Sequence, residues 1–94
     1  MLNETAPHPS TDRLVGGGLF HSAIIAALKQ RGAPITHLSE RMGLGRTTLQ
    51  AALYQPYYVA GHRIIAATLG MSLHQLFPAW YGPDNQPLLE KAAS

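Results

Sequence analysis

The chain has 94 residues, 46 % of them hydrophobic and only 13 % charged, a composition that folds as one small domain and excludes a solvated, disordered tail as its main state. It has no cysteine, so neither disulfides nor a cysteine-based zinc site stabilises it, and helix packing must supply the core. The formal net charge of +2 is unevenly placed: between Leu19 and Gly82, Lys29, Arg31, Arg41, Arg46 and Arg63 stand against Glu40 alone, a basic balance suited to an anionic partner. The start lacks the basic and apolar regions of a secretory signal, and no run approaches the roughly 20 apolar residues of a membrane span, so a cytoplasmic location is expected.

Residues 1–18 mix Pro7, Pro9, Ser10, Thr11 and Asp12 with Gly16-Gly17-Gly18 and offer no periodic apolar face; they read as a flexible N-terminal arm whose only cation is Arg13. A folded region over 19–82 and a short C-terminal tail over 83–94 complete the organisation. From His21, Ile24, Ile25 and Leu28 recur at helical spacing among alanines, and Lys29 and Arg31 lie in the last turn before Gly32 stops the first helix. Pro34 blocks continuation, Thr36 is a good N-cap, and a second helix is expected from His37 to Met42, ended by Gly43. A third helix follows over Arg46 to Tyr54, with Leu49, Ala52 and Leu53 inward and Pro56 closing it. Ile64, Ile65 and Leu69 mark a fourth helix from Ala60 to Leu69 with Gly70 as its stop. Ser72 caps a short fifth helix through Leu73, Leu76 and Phe77 that ends at Pro78. The tail, with Pro83, Asp84, Asn85, Pro87 and a weak apolar segment from Leu88, either packs back or frays. The fold class is all-α: five helices and no strand.

Between Ile35 and Tyr54 the residues meet the distinct steric demands of a helix-turn-helix. Ser39 is small enough for the two helices to approach, and Gly43, four residues later, tolerates the left-handed backbone of the turn, with Gly45 completing it. Leu38, Met42, Leu44, Leu49 and Leu53 fall at core-facing offsets. The outward face of the third helix, about Gly45 to Tyr54, then carries Arg46, Thr47, Gln50, Ala51 and Tyr54 with no acidic residue among them. These side chains suit a major groove: Arg pairs with guanine O6/N7, Gln with adenine N6/N7, and Thr or Ala methyls touch the thymine methyl. Thr36 and Thr48, near helix starts, are candidate phosphate contacts together with Arg41, His62 and Arg63. Double-stranded DNA is the expected partner. One recognition helix covers too few base pairs to find a single site in a genome, so a homodimer, at least on DNA, is expected.

The stretch His21–Tyr81 resembles the Ner family of small phage-encoded regulators and their bacterial Ner-like relatives, grouped with lambda-repressor-like DNA-binding domains. The resemblance rests on Ala27-Leu-Lys-Gln-Arg-Gly32, the Leu38-Ser39 and Gly43-Leu44 pairs, Thr48-Leu49 with Ala52-Leu53, Ile64-Ile-Ala-Ala67 with Leu69-Gly70, and the Leu76-Phe-Pro-Ala-Trp-Tyr81 end. It implies a compact five-helix lambda-repressor-like domain, operator DNA as ligand, and transcription regulation by repression as the activity. Two positions depart from the pattern: Trp80 stands where the family usually has Arg, and Ala60-Gly61-His62 stands where a Lys-Gly-Glu segment is common.

Other chemistries find little support. His21, His37, His62 and His74 lie in different elements with no i, i+3 or i, i+4 pair, so no metal site is expected. Gly16-Gly17-Gly18 lacks the Lys-Ser/Thr of a nucleotide loop, and no catalytic triad or carboxylate pair stands out, so neither an enzyme nor a cofactor is expected. Leu76, Phe77, Trp80 and Tyr81 read as a small aromatic lid on the core. The competing function is a protein-interaction module, an antitoxin or phage adaptor on the same fold, which Tyr57 and Tyr58, expected to be exposed, favour.

Overall fold

The computed structural model describes residues 12–88. Among the described residues five helices follow in chain order: α1 (His21–Gln30), α2 (Ile35–Arg41), α3 (Thr48–Ala52), α4 (Val59–Leu69) and α5 (Leu73–Leu76). Among the described residues there is no strand, only isolated antiparallel bridges between Leu14 and Phe20 and between Tyr81 and Pro87. Each helix contributes to one core: Ile24 and Leu28 from α1, Ile35 and Leu38 from α2, Leu49 from α3, Ile65, Ala66 and Leu69 from α4, and Leu73 and Leu76 from α5. Phe77 and Tyr81 close it from the C-terminal side.

The helix ends follow local chemistry. At the close of α2, Leu44 N–H donates to Ser39 O and Gly43 N–H to Glu40 O, at 2.9 and 3.0 Å, which satisfies carbonyls that the helix itself leaves free. This geometry puts Gly43 at φ +77°, a region where a Cβ would crowd the backbone. Residues 31–33 after α1 and 70–71 after α4 repeat the same pair of bonds. Ser72 caps α5 through a reciprocal bond with Gln75, as its position implied.

Two helices differ in extent from expectation. The second helix begins at Ile35, because Pro34 O already accepts the Leu38 N–H at 2.8 Å; Thr36 therefore lies inside the first turn rather than capping it. The regular part of the third helix is only Thr48–Ala52. Thr48 N–H bonds Gly45 O, and Leu53 and Tyr54 N–H bond Gln50 and Ala51 O, so both ends tighten into i→i+3 turns. Met42, expected inward, is 50 % exposed, since the helix has already turned away from the core at its C-cap.

The segment assigned to a flexible arm is folded over its described part, from Asp12 onward; residues 1–11 lie outside the described residues. Val15 is buried in the core, and Gly16 O accepts the Ala79 N–H at 2.7 Å. The three glycines are what allow this: a Cβ at Gly16 would lie 2.7 Å from Phe77 Cβ, one at Gly17 2.9 Å from Ala79 Cβ, and one at Gly18 would collide with Leu76 O. Asp12 also substitutes for a missing cap on α1. Its Oδ1 accepts the Ser22 N–H at 3.0 Å and its Oδ2 accepts the Ser22 hydroxyl at 2.7 Å. These bonds, the hydroxyl first, hold the carboxyl below its usual range. At the other end the tail packs back as far as residue 88: Leu88 N–H bonds Trp80 O, and Asn85 Oδ1 accepts the His74 N–H.

Gly43→Val should destabilise the domain by about 1–2 kcal/mol or more, because space around Gly43 is open and only backbone strain opposes the change. A thermal melt lowered by several degrees is the expected result, and an unchanged melt would contradict the turn assignment. Deleting residues 1–18 should likewise lower the melting temperature, since burial of Val15 alone contributes about 1.5–3 kcal/mol.

Candidate nucleic-acid interface

A helix of five residues is far too short to persist alone in water, so its neighbours must hold the outward face of α3 in place. At its start, Ser39 is fully buried and its hydroxyl accepts the Leu49 N–H at 3.0 Å, which replaces the side-chain cap that Thr47 does not supply. Ser39 is therefore small enough for the helix approach and also polar enough to tie α2 to α3. At the other end, α4 crosses close to α3. A Cβ at Gly61 would lie 3.0 Å from Ala52 Cβ and 2.8 Å from the Tyr58 ring.

That close approach brings His62 under the end of α3. Its Nε2 lies 2.8 Å from Ala52 O and its Nδ1 2.6 Å from Tyr81 Oη. A carbonyl only accepts, so Nε2 carries the proton and donates to Ala52 O, leaving Nδ1 to accept the Tyr81 hydroxyl. The ring also stacks on Trp80 at 4.9 Å and meets Phe77 at 4.8 Å. The expectation of His62 as a phosphate contact is thus wrong: it is fully buried, and its two nitrogens are both engaged. Burial depresses its pKa, partly opposed by hydrogen bonds to the Ala52 and Gln55 backbone. The same burial raises the Tyr81 phenol, against a smaller opposing effect from the charge on Arg63. The pattern His62, Ile65, Ala66, Leu69 has core-facing spacing, a signal in the sequence that would have placed this histidine inside.

On the outer side, Arg46, Thr47 and Tyr54 are exposed, while Gln50 and Ala51 are half-buried on the same face. The face is not free of acid as expected. Glu40, on α2, reaches across the turn to place Oε2 3.4 Å from Arg46 Nε. The pair is solvated and contributes little to stability, about 0–1 kcal/mol. Tyr54 is not an isolated base-reading side chain: its ring stacks on His21 at 5.4 Å, and the Arg13 guanidinium carbon lies 6.0 Å from its centroid.

The proposed phosphate contacts are scattered in environment. Arg63 is exposed; Thr36 and Thr48 are half-buried; Arg41 is exposed but directs Nη2 to Gly32 O at 3.4 Å, toward the end of α1. Gly45 leaves room for Thr48, whose Oγ1 would stand 3.1 Å from a Cβ there. Tyr57 is 77 % exposed, whereas Tyr58 is half-buried over Gly61. Among the described residues, no three His, Cys, Asp or Glu side chains converge on a point where a metal ion would sit, and no helix is long and apolar enough to cross a membrane.

The helices α1 to α5 packed on one core, with α2 and α3 joined by a left-handed glycine turn, define a helix-turn-helix domain. The profile of the winged helix-turn-helix DNA-binding family matches residues 20–93, and the chain belongs to that family. The β-structure that "winged" implies is limited, among the described residues, to the two isolated bridges. A comparison with curated proteins finds no match.

Burial of neutral His62 makes stability depend on pH. The unfolded imidazole, with a pKa near 6.5, takes up a proton before the folded one does, so the contribution of neutral His62 is complete above about that pH. It is lost as the pH falls through the lower, folded pKa. The melting temperature should therefore drop between pH 7.5 and pH 5 more steeply for the natural chain than for His62→Phe, although the variant is less stable at pH 7.5. Equal slopes would contradict the buried, neutral assignment.

Proposed function

We propose that this chain is a non-enzymatic transcriptional regulator that binds operator DNA through the outward face of α3. The observation that carries this reading is the clamp at both ends of α3: Ser39 and His62 fix a five-residue helix that carries the half-buried Gln50, with exposed Arg46 and Thr47 immediately before its first turn. A backbone held at both ends suits recognition of base edges, because little main-chain freedom is lost on binding. Membership of a DNA-binding family agrees with it.

The finer reading is a Ner-like, lambda-repressor-like repressor. It is supported by the resemblance of His21–Tyr81 and by the order of five helices without a strand among the described residues. The two departures from that pattern have structural uses in this chain: Gly61 and His62 bring α4 against α3, and Trp80 stacks on His62. The alternative of an antitoxin or phage adaptor draws on Tyr57, whose exposed ring suits a protein partner.

Arg46→Ala and Gln50→Ala should each weaken operator binding by about 1–3 kcal/mol while leaving the circular-dichroism spectrum and melt intact. A polarisation titration against the DNA upstream of the protein's own gene measures this, and unchanged affinity in both variants would refute α3 as the reader. Failure of the natural chain to shift any duplex, with capture of one defined protein instead, would favour the adaptor reading.

Useful specificity requires two copies, and two-fold pairing on DNA is the simplest arrangement. The operator should contain related half-sites roughly 10 to 10.5 base pairs apart, centre to centre. Inserting about five base pairs turns one half-site to the opposite face of the duplex and should abolish paired binding in a footprint. One protein per duplex, indifferent to the insertion, would disprove the homodimer.

A further inference from the structure

We infer that Arg13 is a DNA phosphate contact, mounted beside α3 by Tyr54; this inference rests on the DNA-binding reading. Tyr54 follows α3 on the same outward face as Thr47, Gln50 and Ala51, at the end farther from the base-reading residues of the first turn. In a helix laid into the major groove with its N-terminal residues at the base edges, the opposite end lies toward the groove wall, where the phosphates are. The Arg13 guanidinium carbon stands 6.0 Å from the Tyr54 ring centroid, at the limit of a cation–π contact. His21, which stacks on the same ring, restrains Tyr54 from α1.

The backbone beneath Arg13 is also fixed. Arg13 O accepts the His21 N–H at 2.8 Å, and Leu14 bridges Phe20. The neighbouring Asp12 directs both oxygens to Ser22, and no ion pair joins it to Arg13 among the described residues. Among the described residues Arg13 has no acidic partner, whereas Arg46 has Glu40. The side chain is exposed and its main chain is already ordered, so a phosphate gains a charge-assisted hydrogen bond with little ordering of the chain. A phosphate contact carries no sequence information, which sets the expected signature apart from that of Arg46.

The test is a salt-dependent polarisation titration with two duplexes, one from the protein's own upstream DNA and one of mixed sequence and equal length. Arg13→Ala should weaken binding to both by a similar, several-fold factor. It should also flatten the slope of log affinity against log salt by about 0.9 for each bound subunit, without lowering the melting temperature. Arg13→Lys should keep most of the slope. In Tyr54→Leu the further loss caused by Arg13→Ala should be smaller than in the natural chain, because the mount is gone. An unchanged slope in Arg13→Ala, with the natural chain binding normally, overturns the proposal and leaves the DNA-binding reading standing. A loss confined to one duplex overturns it as well, by making Arg13 a base reader. If the natural chain binds neither duplex, the DNA-binding reading fails and this inference falls with it.

Discussion

The outward-facing helix is too short to exist by itself, and the rest of the molecule is arranged around that constraint. A free five-residue helix has unpaired N–H groups at one end and unpaired carbonyls at the other, and its few internal bonds do not offset the conformational entropy of ordering it. Here a serine hydroxyl from α2 takes a donor at the first end and an imidazole from α4 supplies a donor at the second. The apolar contacts of Leu49, Ala52 and Leu53 then hold the helix in register with the core. Its position is a property of the tertiary structure, and its own helix propensity matters little.

The second clamp has requirements that spread outward. His62 reaches Ala52 only because Gly61 lets α4 approach α3 without a Cβ between them. Its other nitrogen needs the Tyr81 hydroxyl, and Tyr81 is held in turn by Phe77, with its carbonyl accepting from His74 Nδ1 at 2.9 Å. The glycine run at 16–18 lies against this same C-terminal group. A residue on the outer face of α3 is thus supported by contacts from four separate stretches of sequence.

Much of this was legible in the sequence, and the misses share a cause. Helix order, the stops at Gly32, Gly43 and Gly70, the Ser72 cap and the inward set Leu38, Leu49 and Leu53 all follow from local patterns, which are fixed by chain geometry alone. Ser39 was legible as a small residue, but its hydrogen bond to Leu49 required knowing the angle between α2 and α3. His62 was misread as a phosphate contact because its partners lie 10 and 19 residues away. The Glu40–Arg46 pair spans the turn and has no place in a periodic pattern. Residues 12–18 looked unstructured because the run Gly16-Gly17-Gly18 packs through its lack of side chains. For those same reasons Arg13 was legible as a cation but not as a neighbour of Tyr54.

The bond between Gly16 and Ala79 joins stretches from near opposite ends of the described chain. A polypeptide emerging from a ribosome presents α1 to α3 long before Phe77, Ala79 and Tyr81 leave the tunnel. Until they do, His62 lacks the Tyr81 hydroxyl and the rings of Phe77 and Trp80, and only its bond to Ala52 holds the end of α3. Such long-range closure is slow compared with local helix formation. The full set of contacts around α3 is therefore complete only after synthesis has passed the aromatic group.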